Sequence, residues 1–401
     1  MNPNLHHLLT IAQKPQRRII GLMSGTSLDG LDVALCLCEG SGPATRVRVE
    51  QFATVPYAES VKAEIRRVFA QNTIEFEHLC LLNPWIALLH ADMVLDCLRA
   101  WEIAPQQVDC IASHGQTVFH APRSQHGKPN FPNATLQIGD GDHLAVRTGI
   151  LTISDFRQKH VAAGGEGAPL AVYGDYLLFS KAGEDRILLN MGGIANFTFL
   201  PGTLDVETMF STDVGPGNTL LDAFTQLYFP GKSYDTDGTI AAQGQVHEPL
   251  LRALLDHPFY AADFPKTTGP ELFSRDYVVQ AQQRSGSLGL SPADLLATLV
   301  AFSAEGIVGA IRRCFPTSSA PLTVYASGGG MHNPVLMRAL RLQLPNCRFL
   351  TTHDLGINPD AKEAVLFAVL ANESLVGSNA PLGSSRPGIP AVSMGKFSFA
   401  R

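Results

Sequence analysis

Serine, threonine, glycine and aspartate crowd residues 24–32: Ser24, Gly25, Thr26, Ser27, Leu28, Asp29, Gly30, Leu31 and Asp32. An apolar strand, Ile19–Met23, leads in, and an alternating strand from Val33 leads out. Glycine lets a backbone approach a ligand closely, and Ser and Thr hydroxyls donate hydrogen bonds. A strand–turn–strand of this make-up suits phosphate oxygens wrapped by backbone N–H groups. A polar hairpin loop with no ligand is the plain alternative. The turn is not a Walker loop, which runs from strand to helix through Gly-Lys-Ser/Thr. Gly231-Lys232-Ser233 has Gln226 where the upstream glycine of that motif belongs.

Two more glycine turns follow strands, Gly215-Pro216-Gly217-Asn218 and Gly328-Gly329-Gly330. Each precedes a helix, whose first N–H groups suit an anion. Neither closes the dinucleotide pattern G-x-G-x-x-G. Three such turns in a sparsely charged chain point to a nucleotide. Asp213, just ahead of Gly-Pro-Gly, has the chemistry of a general base or of a partner for hydrated Mg²⁺; a turn-capping aspartate is the alternative. Asp29 is read as lying near phosphate water and Asp32 as structural. Ser113-His114-Gly115-Gln116-Thr117 gathers hydrogen-bonding groups at a strand end, a polar-ligand loop with His114 as candidate contact. No G-x-S-x-G elbow surrounds Ser113. Asp235-Thr236-Asp237-Gly238 lacks the closing Glu of a calcium loop, and the 13 histidines show no HExxH spacing.

The elements that must carry these groups follow from periodicity. Strands are expected at 18–23, 32–38 and 46–54, then helices at 59–71 and 75–101. The second helix carries Leu81, Leu82, Trp85, Leu88 and Leu89 at helical spacing, read as core. Strand 108–113 enters the turn at His114; strands 135–138 and 151–154 follow, with a short helix between them ending at Arg147. After Gly164-Gly165-Glu166-Gly167 the order restarts: strands 186–191 and 195–200, and a third running into Ser211–Asn218. Helix 219–228, helix 291–314, strand 322–326, helix 334–344 and a last helix near 360–375 complete the reading. Strands first, then alternating helix and strand, in both halves, suggest two α/β domains facing across a cleft.

The 401 residues are 45% hydrophobic and 16% charged, with net charge −6. Scattered Lys and Arg argue against nucleic acid and anionic membranes as partners. No uninterrupted apolar run approaches the ~18 residues of a spanning helix. The N-terminal stretch has no basic leader or cleavage site, so a cytoplasmic location is expected. Seven cysteines among apolar residues, with no CxxC, read as buried free thiols.

Together the turns resemble the anhydro-N-acetylmuramic acid kinase family of bacterial cell-wall recycling. The matching segments are Gly21–Asp32, Ser113–Thr117, Gln137–Asp140, Asp155–Arg157, Gly164–Leu170, Asn190–Asn196, Asp213–Asn218, Lys266–Gly269, Gly328–Gly330 and Asp360–Ala371, in the family's order. The resemblance implies an α/β fold of two ribonuclease-H-like domains around a central cleft, the actin-like ATPase and sugar-kinase fold. The domains are expected at 16–153 and 154–375, with the tail 376–401 packing back on the first. It implies that Gly25–Asp32 forms the ATP phosphate loop, with Gly215, Gly217, Asn218 and Gly328–Gly330 as further nucleotide contacts and Mg²⁺ on the phosphates. It implies Asp213 as catalytic base and Glu363 at the sugar, with Arg157 and His114 on the substrate side. A homodimer is also implied, through helix 291–314 or 334–344. Departures from the family pattern fall at Gln158-Lys159-His160, at Glu166 and at Pro270, all on the sugar side. The rival readings are another small-molecule kinase of the superfamily, an ATP-driven chaperone or filament protein, and a two-carboxylate glycosidase.

Overall fold

The structure, a computed structural model, describes residues 2–25, 28–269, 271–315, 322–377, 382–383 and 390–401. Its strands are β1 (Gln16–Ser24), β2 (Gly30–Glu39), β3 (Arg46–Pro56), β4 (Cys110–Ala121), β5 (Ala134–Ile138), β6 (Thr152–Ser154), β7 (Arg186–Met191), β8 (Ile194–Leu200), β9 (Phe210–Pro216), β10 (Leu322–Ser327), β11 (Cys347–Thr351) and β12 (Lys396–Ser398). Contacts divide the chain into two units, Met1–Ser180 with Ile357–Arg401, and Lys181–Gly356.

In the first unit the sheet runs β3-β2-β1-β4-β6-β12, with β5 added on β4. β1, β2 and β3 pair antiparallel, whereas β1–β4 and β4–β6 are parallel. Three antiparallel strands followed by two parallel ones, in the order 3-2-1-4-5, is the ribonuclease-H-like arrangement. β1 is apolar on both faces because both are covered; Ile19, Ile20 and Leu22 are fully buried. Helix Lys362–Val376 packs on β1, β2 and β4. At Gly21 the approach is so close that a Cβ would stand 1.8 Å from the Ala364 carbonyl oxygen, which only glycine avoids. The tail returns as β12, antiparallel to β6.

The second unit repeats the plan, β9-β8-β7-β10-β11, with β7–β8 and β8–β9 antiparallel and β10 parallel to β7 and β11. Its core is organised on helix Pro292–Cys314, which buries Leu295, Leu299, Phe302 and Ile307 among others. Ser291 caps that helix, its Oγ accepting from Asp294 N at 3.1 Å, and proline opens the first turn.

Several expectations change. The division falls at 180/181 and 356/357 rather than at 153/154 and 375/376. Residues 154–180 stay with the first unit because β6 pairs with β4 and helix Ala171–Phe179 packs on helix Lys362–Val376. The segment expected to turn at His114–Thr117 instead continues as strand β4, because β5 supplies a new antiparallel partner. Leu81, Trp85 and Leu88 are exposed; helix Phe76–Ala100 buries the neighbouring face through Leu82, Ile86, His90 and Val94. Cys80, on the same helix, is exposed, while Cys36, Cys38, Cys97 and Cys110 are buried. Among the described residues two helices, Phe76–Ala100 and Pro292–Cys314, are long and apolar enough to cross a membrane by length and composition. Isolated polar residues such as Asn83 and Ser303 interrupt their apolar runs, so neither shows an unbroken apolar stretch in the sequence. Most of the apolar stretch in the second lies inside the core of its unit.

Candidate functional site

Ser24 ends β1 and Gly30 begins β2, so Gly25, Leu28 and Asp29 lie between the two paired strands. Leu28 takes a left-handed φ of 60°, and Leu28 N donates to Gly25 O at 3.4 Å. Leu28 and Leu31 bury their side chains in the core, so either meets a ligand through backbone alone. Asp29 is exposed. Asp32 Oδ1 accepts from Thr54 Oγ1 at 2.6 Å. Burial pushes the Asp32 carboxyl up, Thr54 opposes, and Asp360 and Asp29 add to the rise. Thr26 and Ser27 lie outside the described residues.

Arg157 lies in the first turn of helix Phe156–Ala162, directly after β6. Its Nε donates to His114 Nε2 at 2.8 Å, and its Nη1 donates to Gly167 O at 2.7 Å. A guanidinium is always protonated and never accepts, so His114 must accept there and is neutral. Burial, and then the Arg157 charge, pull the imidazole down to about 3. Burial lowers Arg157 too, and Glu363 opposes it. Glu363 sits in the first turn of helix Lys362–Val376. The residue is solvent-exposed, yet the surrounding chain removes part of its solvation. Loss of solvation raises its carboxyl, Arg157 lowers it, and Asp32 raises it. Glu363, Arg157, His114 and Asp32 are thus brought into one electrostatic group within the first unit.

In the second unit Asp213 lies inside β9, not after it. Its backbone N–H donates to Lys266 O at 2.9 Å, and Thr268 N donates to Asp213 Oδ2 at 2.8 Å. The segment 266–268 therefore docks along β9 and fixes one carboxylate oxygen. Burial raises the Asp213 carboxyl, the Thr268 N–H lowers it, and Glu271 raises it. A half-buried carboxylate anchored through one oxygen and made more basic has the form of a general base.

The remaining glycine turns meet around the end of β7. Gly217 N and Asn218 N donate to Gly193 O and Gly192 O, both at 2.8 Å, and Asn218 Nδ2 donates to Met191 O at 3.1 Å. Gly328 has φ 78°, and a Cβ there would come within 2.6 Å of Asn190 Oδ1. The helix-start amides expected to face an anion are partly committed. Gly193 O takes Thr219 N, and Asn333 Oδ1 takes Val335 N and Leu336 N. Beside these turns lies a cavity of about 350 Å³, lined by Asn218, Asp222, Asp235, Asp237, Gly329 and His332. Its size suits a small polar ligand.

The sequence model of the anhydro-N-acetylmuramic acid kinase family matches residues 17–395. A relative of that name from Pseudoalteromonas atlantica is 56% identical over 100% of both chains. One from Pseudoalteromonas translucida is 54% identical, again over 100% of each. One from Caldanaerobacter subterraneus is 39% identical over 98% of this chain and 100% of that one. The chain belongs to the anhydro-N-acetylmuramic acid kinase family. Membership makes it an enzyme, a kinase of cell-wall recycling.

Two of the departures from the family pattern have structural roles here. His160 is buried, and its Nδ1 accepts from Gly167 N at 3.0 Å, closing the 164–167 turn. Glu166 accepts from Ser124 Oγ at 2.9 Å. Pro270 lies outside the described residues. Sequence reasoning missed Thr268 as the anchor of Asp213, and Gly192 and Gly193 as the seat of the 215–218 turn. Lys266-Thr267-Thr268-Gly269 matched the family, but nothing in its composition says that it lies along β9. Asp235 and Asp237 were set aside with the calcium loop, yet they line the cavity.

Proposed function

We propose that this chain opens the 1,6-anhydro ring of anhydro-N-acetylmuramic acid with water and phosphorylates O6 from ATP. The products are N-acetylmuramic acid 6-phosphate and ADP. Asp213 accepts a proton from water as the water oxygen attacks C1. The C1–O6 bond breaks and its electron pair stays on O6. O6 then attacks the γ-phosphorus, ADP leaves, and Asp213 releases its proton. One carboxylate serves both stages because cleavage makes the nucleophile in place. The observation that carries this reading is the state of Asp213, with Oδ2 held by Thr268 N and a carboxyl raised by burial.

Glu363 and Arg157 hold the sugar, with His114 behind the arginine. Backbone N–H groups of the 25–30 turn take the phosphate oxygens, and the cavity at Asn218 and Gly329 takes part of the nucleotide. Mg²⁺ supplies charge neutralisation on the phosphates. Asp29, which is exposed, and Asp32, whose carboxyl the Asp29 charge pushes up, form a pair that would suit an ion held mainly by phosphate. No group of three or more His, Cys, Asp or Glu among the described residues could hold a metal. Mg²⁺ keeps waters and phosphate oxygens and asks for about one or two carboxylates, which Asp29 and Asp32 would supply. A cytoplasmic location fits the ATP requirement, and all seven cysteines are free.

Incubation with anhydro-N-acetylmuramic acid, Mg-ATP and ¹⁸O-water, followed by mass spectrometry, tests the reaction. One product with ¹⁸O at C1 and phosphate at O6 is expected. Phosphorylation without ¹⁸O uptake would refute coupled ring opening.

A further inference from the structure

Ser24, Tyr57, His90 and Gln116 come from four separate stretches of the first unit, and each is at most 4% exposed. Ser24 Oγ lies 2.7 Å from Tyr57 Oη, and Tyr57 Oη lies 2.6 Å from His90 Nε2. Ser24 Oγ donates to Gln116 Oε1. Gln116 Nε2 in turn donates to Gly25 O and Thr117 O, each at 3.2 Å. Valence fixes every direction in this row. An amide oxygen only accepts, so Gln116 takes the single Ser24 proton. Ser24 therefore accepts from Tyr57. That uses the one tyrosine proton, so Tyr57 accepts from His90 Nε2–H. Burial keeps His90 neutral, with its pKa down to about 4, and the one ring proton then sits on Nε2.

The row ends on the carbonyl of Gly25, where the glycine turn begins. The other end of the turn is tied to the same tyrosine, whose backbone N–H donates to Asp29 O at 3.0 Å. Both ends of the loop thus hang on Tyr57. A turn whose ends are already held loses less conformational freedom when a ligand arrives. Aligned hydrogen bonds in a low-dielectric interior also reinforce one another.

We infer that Tyr57, His90 and Gln116 are positioning residues that preset the two ends of the glycine turn, at Gly25 and Asp29. The consequence for ATP rests on reading that turn as the phosphate loop. Tyr57 and His90 lie outside every motif that marked the site in the sequence.

Tyr57→Phe keeps the ring and removes the hydroxyl, so His90 and Ser24 each lose a partner. In the ligand-free variant, hydrogen exchange at Leu28, Asp29 and Gly30 should quicken about fivefold, the scale of one buried hydrogen bond. KM for Mg-ATP should rise by a similar factor, with KM for the sugar unchanged. His90→Gln keeps an N–H donor and should stay close to wild type, whereas His90→Leu should copy Tyr57→Phe. Unchanged exchange at the loop in Tyr57→Phe, with only the melting temperature lowered, would overturn the inference. Faster exchange with an unchanged KM for Mg-ATP would support the tether and overturn the phosphate assignment instead.

Discussion

Two neutral histidines buried in the first unit make its stability depend on pH in a calculable way. His90 is 1% exposed and titrates near 4 because burial disfavours its cation. His114 is 3% exposed and titrates near 3, through burial first and the Arg157 charge second. In the unfolded chain each returns to about 6.5. Below that pH the unfolded state binds protons that the native state refuses. Stability is therefore full above about pH 6.5, is lost as pH falls, and for His90 levels off near 4. Between pH 7.5 and 5.5 each histidine costs about 1.4 kcal/mol, and the pair about 2.7 kcal/mol. Trp85 and Trp101, the protein's two tryptophans, both belong to this unit, so their fluorescence in a urea titration reports it. His90→Gln removes one titration and keeps a donor for Tyr57. Any packing change should count equally at both pH values. The variant should therefore lose about 1.4 kcal/mol less than wild type between pH 7.5 and 5.5. An identical pH response in the two proteins would show that His90 is not held neutral, and the reasoning would fail.

Asp213→Asn should fold as wild type and lose turnover by at least ~10²-fold, measured as ADP release, the scale of a removed general base. Arg157→Lys keeps the charge and loses the fork that His114 and Gly167 hold; KM for the sugar should rise about tenfold while KM for ATP stays unchanged. Gly328→Ala puts a Cβ at φ 78° and 2.6 Å from Asn190 Oδ1. It should destabilise the second unit by roughly 1–3 kcal/mol in chemical denaturation.

Patterns that repeat within one element were legible without coordinates. β7 at Arg186–Met191 and helix Thr219–Tyr228 fall where periodicity and the glycine turns put them, because burial period and helix starts are set by neighbours a few residues apart. The glycine turns that follow β9 and β10 were legible for the same reason, although Gly215 and Pro216 still belong to β9. Partners far away in the chain were not. β4 runs on past Ser113 because β5 pairs with it from Gln116 to Ala121 and Ser24 of β1 meets Gln116. Leu81 and Trp85 share helical spacing with Leu82 and Ile86, and only the neighbouring elements decide which face is dry. Thr268 meets Asp213 across 55 positions, and His114 meets Arg157 across 43. Composition and spacing determined the kinds of chemistry and the elements that carry them. Tertiary packing decided which oxygen of Asp213 is held, which tautomer His114 adopts and what lies beneath Gly25. Desolvation and hydrogen-bond direction depend on groups that the linear order never places side by side.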